Sequence, residues 1–432
     1  MTASEQRSGA ATSIGVVTVA WLLTAVFYFY QYSMRSAPAV MVPELSEAFG
    51  LSAVGVASLV GLFYYAYAPF SLVAGVALDQ IGPKKVVPLG AASVAIGALM
   101  FSTADPTIGS IGRFMQGAGG VFALIGAVYL VTTFMPVSKA ATLIGATQMF
   151  GMAGGSAGQF VVGPLISSGL PWDRFWFVMG IIGIPIAVLL FFLIPKQEAK
   201  PKDAAGVGLG PALKAMGTVF INPQSLLCGL IAGLIFIPTT IFDMVWGVRF
   251  LQEGHDVPYE VAVLRSAAVP FGWIIGCPLL GWLTDRIGRR KPVIIGAAVV
   301  LLLSLALILY GPREVFPPYS LALVAGIASG AAMIPYTVIK EANRPEHSGT
   351  ATGVINFLNF SLTALLGPIF ARWLTQASAG GERELAHYQE TFQPLLYGVV
   401  LAIVLTLLLR ETGPKARKST EAPTMGAELP AE

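Results

Sequence analysis

Twelve stretches of mostly apolar residues, each closed by a short polar turn, follow one another along the chain at 16–41, 53–78, 86–104, 107–134, 141–166, 175–195, 223–250, 260–284, 292–311, 318–340, 349–375 and 394–410. Crossing about 30 Å of hydrocarbon takes roughly 20 such residues in a helix. The pattern therefore predicts an all-α integral membrane protein with twelve spans, numbered 1 to 12 in chain order. The first stretch is too long for the h-region of a signal peptide and has one basic residue, Arg7, before it, so it is expected to stay as a span.

The series breaks once, at Lys196-Gln-Glu-Ala-Lys200-Pro-Lys202-Asp203 followed by Gly206, Gly208 and Gly210. That composition predicts a mobile linker over 196–222 with a short surface helix at 211–219. It leaves six spans in 1–195 and six in 223–411, with a polar tail over 412–432 expected to be disordered.

Composition agrees with a chain dissolved in lipid. Of the 432 residues 55% are hydrophobic and 11% charged, against about 25% charged in soluble domains, and the mean hydropathy is +0.73. With three histidines and two cysteines there is little from which to build a metal, haem or disulfide centre, and no cofactor or metal is expected. Cys228 and Cys277 lie in apolar runs and read as small packing residues. Basic residues come in short scattered clusters, which leaves no nucleic-acid footprint. The expected partners are the bilayer and a small-molecule substrate.

Positive charge fixes an orientation, because cytoplasmic loops keep lysine and arginine. With the N-terminus inside, eighteen of the 26 basic residues fall in inner segments, while the outer loops hold Arg174, Arg313 and Arg383. Both termini are expected in the cytoplasm.

The two halves repeat a loop. After span 2 the chain reads Gly75-Val-Ala-Leu-Asp79-Gln-Ile-Gly82-Pro-Lys84-Lys85, and after span 8 it reads Gly281-Trp-Leu-Thr-Asp285-Arg-Ile-Gly288-Arg-Arg290-Lys291. A carboxylate at a helix end can bind the positive N-terminus of a neighbouring helix, and glycine lets the two backbones approach. Such a contact can form in one state and break in another. Gly75, Asp79, Gly82, Lys84 and Lys85, with Gly281, Asp285, Gly288, Arg290 and Lys291, are the candidate conformational latch.

This repeated loop, the twelve spans and the central linker resemble the major facilitator superfamily. Arg113-Phe-Met-Gln116-Gly117-Ala-Gly119-Gly120 in span 4 is similar to that family's second motif. The resemblance implies two pseudo-symmetric six-helix bundles around a cavity that opens alternately to either side, and a monomer.

Ionised groups inside spans are costly and need a partner or a wet cavity. Candidates are Arg35, Arg113, Asp243, Arg249, Arg265 and Arg372, of which Arg249 and Arg372 lie near enough to an interface to snorkel. Arg35 stands eight residues before Pro43, about 12 Å from the outer end of its helix. Tyr28, Gln31, Tyr32 and Arg35 share one helix face. An offset near 208 carries Arg35 onto Asp243 in span 7, and Gln148 in span 5 onto Asn356 in span 11. Asp243 shares a face with Phe236, Thr239 and Trp246, and Asn356 shares one with Asn359 and Thr363. Arginine, amides, tyrosines and one carboxylate together suit a small molecule that carries a carboxylate, with or without an amine. The three histidines are placed in loops, which leaves Asp243 as the best carrier if protons drive transport.

Phe29-Tyr-Gln31-Tyr32-Ser-Met34-Arg35-Ser-Ala-Pro38, followed by Pro43-Glu-Leu-Ser-Glu-Ala-Phe-Gly50, is similar to the anion:cation symporter branch. That resemblance implies organic-anion binding by Arg35 and Arg113, with the departure that Met34 stands where the branch has aspartate. Gly61-Leu-Phe-Tyr64-Tyr65-Ala-Tyr67 in span 2 looks like that of proteobacterial phagosomal nutrient transporters, which adds Tyr65 to the candidate site and points to a bacterial inner membrane. The expected function is import of a small organic anion or amino acid. The alternatives are a proton-coupled exporter of lipophilic compounds, whose span 5 motif this chain lacks, and a non-transporting sensor. Catalytic motifs are missing, and Gly151-Met-Ala-Gly154-Gly155-Ser156-Ala-Gly158 reads as helix packing rather than an enzyme's glycine loop, so no enzyme is expected.

Overall fold

The computed structural model describes residues 14–51, 53–196, 209–312, 317–379 and 381–415. Most of the predicted linker and the tail beyond Lys415 lie outside the described residues. Among the described residues, twelve helices are long and apolar enough to cross a membrane: Ile14–Val40, Ser58–Ile81, Pro83–Phe101, Pro106–Phe134, Val137–Ser167, Trp172–Leu193, Pro223–His255, Val261–Ile287, Lys291–Tyr310, Ser320–Glu341, Pro345–Ala377 and Leu385–Leu408. They are spans 1 to 12 in that order. A surface helix at Leu209–Ile221 precedes span 7.

Local chemistry sets the helix ends. Asp105 caps span 4 by accepting the N–H groups of Thr107 (2.9 Å) and Ile108 (2.8 Å), with Pro106 in the first turn where its missing N–H costs nothing. Asn222 caps span 7 in the same way. Span 12 begins nine residues before the sequence expectation. His387, Gln389 and Glu390 make its first turns polar, but Glu384 and the His387 ring close a capping box, and Gln389 donates to the Leu309 carbonyl at 2.7 Å. His387 and His255 are therefore helical, not in loops as expected; His255 ends the helix of span 7.

The described residues divide into two compact units. Unit 1 comprises those within Met1–Pro136, Gly154–Ala215 and Ser348–Gly353; unit 2 comprises those within Val137–Ala153, Met216–His347 and Val354–Glu432.

Unit 1 is held together by close backbone approach. In span 4, a Cβ at Gly117 would strike the Phe63 carbonyl of span 2, and one at Gly119 would strike the Gly90 carbonyl of span 3. The glycine stretch of span 5 does the same against span 1: Gly154 packs on Phe29 and Gly158 on Ser33. Large apolar residues cover the outer faces, as on span 6, where Phe192 is 71% exposed.

Unit 2 is built around an aromatic core of Phe242, Phe250, Phe370, Tyr388 and Phe392, with the Phe370 and Phe392 rings stacked 5.5 Å apart. Span 7 departs from regular geometry: Pro238–Gly247 forms a π-helix around Asp243. Residues 412–415, expected to belong to a disordered tail, pack on the loop between spans 8 and 9. The Lys415 N–H donates to the Gly288 carbonyl (3.1 Å), and the Thr412 hydroxyl to Glu341 (2.6 Å).

Candidate functional site

In unit 1, Arg35 is 8% exposed and sits in a box of rings. Its guanidinium carbon lies 4.6 Å from the centre of Tyr32, 4.7 Å from Tyr64, 5.4 Å from Tyr67 and 5.6 Å from Phe63. Nε donates to the Tyr64 hydroxyl at 3.3 Å. Ring faces stabilise a cation that lipid would reject, at about 2 kcal/mol or more per desolvated contact. Tyr28 packs edge-on to Tyr32 at 5.2 Å, which orients that wall of the box.

Tyr65 does not join them. It is 73% exposed on another face of span 2, while Tyr64 and Tyr67 complete the box. Those two are three residues apart and share a face, a signal already present in the sequence.

Arg113 is fully buried against Phe63, Phe101 and Trp176. One terminal nitrogen donates to Gln116 (2.6 Å) and to the Met34 carbonyl (3.3 Å); Nε and the other terminal nitrogen have no partner among the described residues. Met34 thus meets Arg113 through its backbone carbonyl. Both amide atoms of the buried Gln31 are also unmatched.

In unit 2, Asp243 is 8% exposed and its Oδ1 accepts the Ser266 hydroxyl at 3.1 Å. Asp243, Ser266 and Arg265 line one cavity. Further along, the Tyr336 hydroxyl donates to Asn356 Oδ1 (3.0 Å) and accepts from Asn359 Nδ2 (3.3 Å), so a tyrosine absent from the sequence expectation fixes both amides. Gln148 is buried in the same unit. Arg372 and Arg249 are exposed, and Arg249 lies 5.8 Å from the Trp246 ring.

The repeated loops make matched contacts. In unit 1, Asp79 accepts the N–H of Gly349 (2.8 Å) and both the N–H (2.7 Å) and the hydroxyl (2.6 Å) of Thr350, at the start of span 11. In unit 2, Asp285 accepts the N–H (2.9 Å) and the hydroxyl (2.8 Å) of Thr142, near the start of span 5. A Cβ at Gly75 would collide with the Gly349 carbonyl, and one at Gly281 with that of Ala141. Gly82 and Gly288 turn the chain with φ of +89° and +72°, a region glycine enters without strain.

The basic residues divide differently from the sequence register. Lys84 binds the last carbonyls of span 6, Phe191 (2.9 Å) and Ile194 (2.8 Å), while Lys85 is exposed. In the second loop that capping falls to Lys291, which binds the Leu407 carbonyl of span 12 at 2.8 Å. Arg290 instead is fully buried between Asp285 (2.6 Å) and Glu341 (2.8 Å). Burial alone would lower its pKa, but Glu341 and Asp285 hold it above the ordinary arginine value.

Among the described residues no group of His, Cys, Asp and Glu side chains could hold a metal ion. Cys228 and Cys277 are free and buried.

The family model of the Major Facilitator Superfamily matches residues 21–368. The hexuronate transporter of Bacillus subtilis strain 168 is 26% identical over 287 residues, 63% of this chain and 66% of that protein, just under two thirds of its length. The membrane sensor protein UhpC of Salmonella typhimurium strain LT2 is 22% identical over 390 residues, 83% of each chain. Among solved structures, FucP, a superfamily transporter in the outward conformation, superposes with a TM-score of 0.72 at 14% identity, covering 91% of this chain and 99% of that one. A match across most of the chain, joined to twelve spans and a loop repeated with its contacts, leads to one assignment: this protein belongs to the Major Facilitator Superfamily.

Proposed function

We propose that the protein is a secondary transporter of a bacterial inner membrane, with both termini cytoplasmic, that imports a small carboxylate-bearing nutrient by alternating access. The observation that carries this reading is Arg35, a buried guanidinium in a box of four aromatic rings. An organic carboxylate would pair with such a guanidinium through charge-assisted hydrogen bonds. Likeness to a hexuronate transporter supports a sugar acid as the first substrate to try.

In this reading Asp79 and Asp285 latch the cytoplasmic side, Asp243 carries the coupling proton, and Gln148, Asn356 and Asn359 supply hydrogen bonds to the substrate. Uptake of labelled glucuronate into proteoliposomes tests it. Saturable accumulation that Arg35→Ala abolishes is the expected result. Saturable binding without accumulation or counterflow favours the sensor, a reading that the likeness to UhpC keeps in view. Binding unchanged in Arg35→Ala overturns the anion site.

A further inference from the structure

Spans 7, 8, 9 and 10 of unit 2 line a partly open cavity of about 150 Å³. Ligand pockets for drug-sized molecules run to roughly 300–1,000 Å³, so this one admits a smaller guest. Its walls are mostly apolar, with Phe242, Leu301 and Leu305 among them, and a few polar groups face the same space.

Those polar groups are incompletely used. Asp243 Oδ1 takes the Ser266 hydroxyl, and Oδ2 has no hydrogen-bond partner among the described residues. The Arg265 side chain makes neither a hydrogen bond nor an ion pair among the described residues, and its Nε is buried and unmatched. The Ser329 hydroxyl, 1% exposed, is also unmatched. One small cavity thus holds a carboxylate and a guanidinium that do not pair with each other.

Unpaired charges in an apolar surround are costly unless something completes them. Two further features mark the place as built for occupancy. The backbone around Asp243 is π-helical, a geometry that concentrates at functional sites. Gly247 leaves room beside the Asp243–Ser266 pair, since a Cβ there would come within 2.9 Å of the Ser266 hydroxyl and 3.1 Å of Oδ1.

We propose that this cavity binds a small zwitterion with an apolar side chain, an apolar α-amino acid: its ammonium rests on Asp243, its carboxylate on Arg265, and its side chain against Phe242, Leu301 and Leu305. A simple carboxylate would leave Asp243 unpaired, and a simple amine would leave Arg265 unpaired. The site lies wholly in unit 2; it shares Asp243 with the transport reading, where that residue carries the coupling proton, but not Arg35 of unit 1, the residue that carries that reading.

Calorimetric titration of the purified full chain with L-leucine tests the site. Wild-type protein binds L-leucine at least about tenfold tighter than 3-methylbutylamine, which lacks the carboxylate, or 4-methylpentanoate, which lacks the amine, since each amputation gives up a hydrogen bond to a charge. These comparisons need no variant to fold. Asp243→Asn and Arg265→Gln each weaken leucine binding at least about tenfold, whereas Arg35→Ala does not change it. No leucine binding, equal binding of the amputated ligands, or leucine binding that falls in Arg35→Ala and survives in Asp243→Asn overturns the proposal. Glucuronate uptake that fails in the same preparation would sink the transport reading and leave this one standing.

Discussion

Asp79 and Asp285 perform the same contact on different helices: each accepts the N–H and the hydroxyl of a threonine in the opening turns of a span, Thr350 for the first and Thr142 for the second. Thr142 and Thr350 are 208 positions apart and the aspartates 206, so the repeat extends to the receivers as well as the loops. Each carboxylate also meets the positive end of a helix. Asp79→Asn keeps one acceptor oxygen and the side-chain volume but loses the charge. A hydrogen bond to a charged group contributes about 1.5–3 kcal/mol, so the latched state weakens by that order. The expected result is a several-fold fall in initial uptake rate with the substrate Kd within twofold. An unchanged rate in both Asp79→Asn and Asp285→Asn would remove the latch role.

Arg290 and Glu341 form the sterner test of stability. The pair is buried, and Arg290 also binds Asp285, while the Glu341 carboxylate also receives Thr412. Removing one partner of a buried pair strands the other, at about 3–5 kcal/mol. Glu341→Ala therefore lowers the thermal unfolding midpoint by several degrees. Glu346→Ala breaks a bridge whose partner Arg344 is 77% exposed, and leaves the midpoint in place. Because the Arg290 pKa is raised in the folded state, its contribution is complete below the ordinary arginine range and is lost only above it. The difference between the two variants is consequently the same at neutral and mildly alkaline pH. Equal midpoints for Glu341→Ala and wild type would mean that the pair does not hold the loop.

Arg35 separates charge from shape. Lysine restores the cation but not the planar group that stacks on rings and pairs bidentately with a carboxylate. Arg35→Lys is expected to bind glucuronate at least about tenfold more weakly than wild type, close to Arg35→Ala. Tyr64→Phe keeps the ring and removes one hydrogen bond of about 1 kcal/mol, a loss of roughly fivefold in affinity. Full affinity in the lysine variant would show that charge alone suffices.

The spans were legible because lipid imposes one rule on all of them, a long run of apolar residues. Span 12 starts before its apolar run because Glu384 and His387 cap each other and Gln389 donates to the Leu309 carbonyl, something hydropathy does not register. In span 2 helical spacing puts Tyr64 and Tyr67 on one face, and these two rings, not Tyr65, meet the Arg35 guanidinium. Glu341 was out of reach. It meets Arg290 across 51 positions, and only packing brings them together. The aligned loops likewise gave no hint that Lys291, rather than Arg290, takes the helix-capping part of Lys84.

Asp243 offers the last prediction, about coupling. Asparagine at this position is nearly isosteric and retains an oxygen for the Ser266 hydroxyl, which Asp243 now accepts at 3.1 Å. It cannot take up or release a proton near neutral pH. If protons enter and leave through this side chain, Asp243→Asn still exchanges labelled for unlabelled substrate across the membrane, because exchange needs no net proton movement. Accumulation against a gradient fails, since the proton gradient no longer has a group to act on. Counterflow and pH-gradient-driven uptake, measured on one set of proteoliposomes, separate these steps. Uptake driven by a pH gradient that persists in Asp243→Asn assigns coupling to another group or to none, whereas loss of counterflow as well would make Asp243 a substrate-binding residue first.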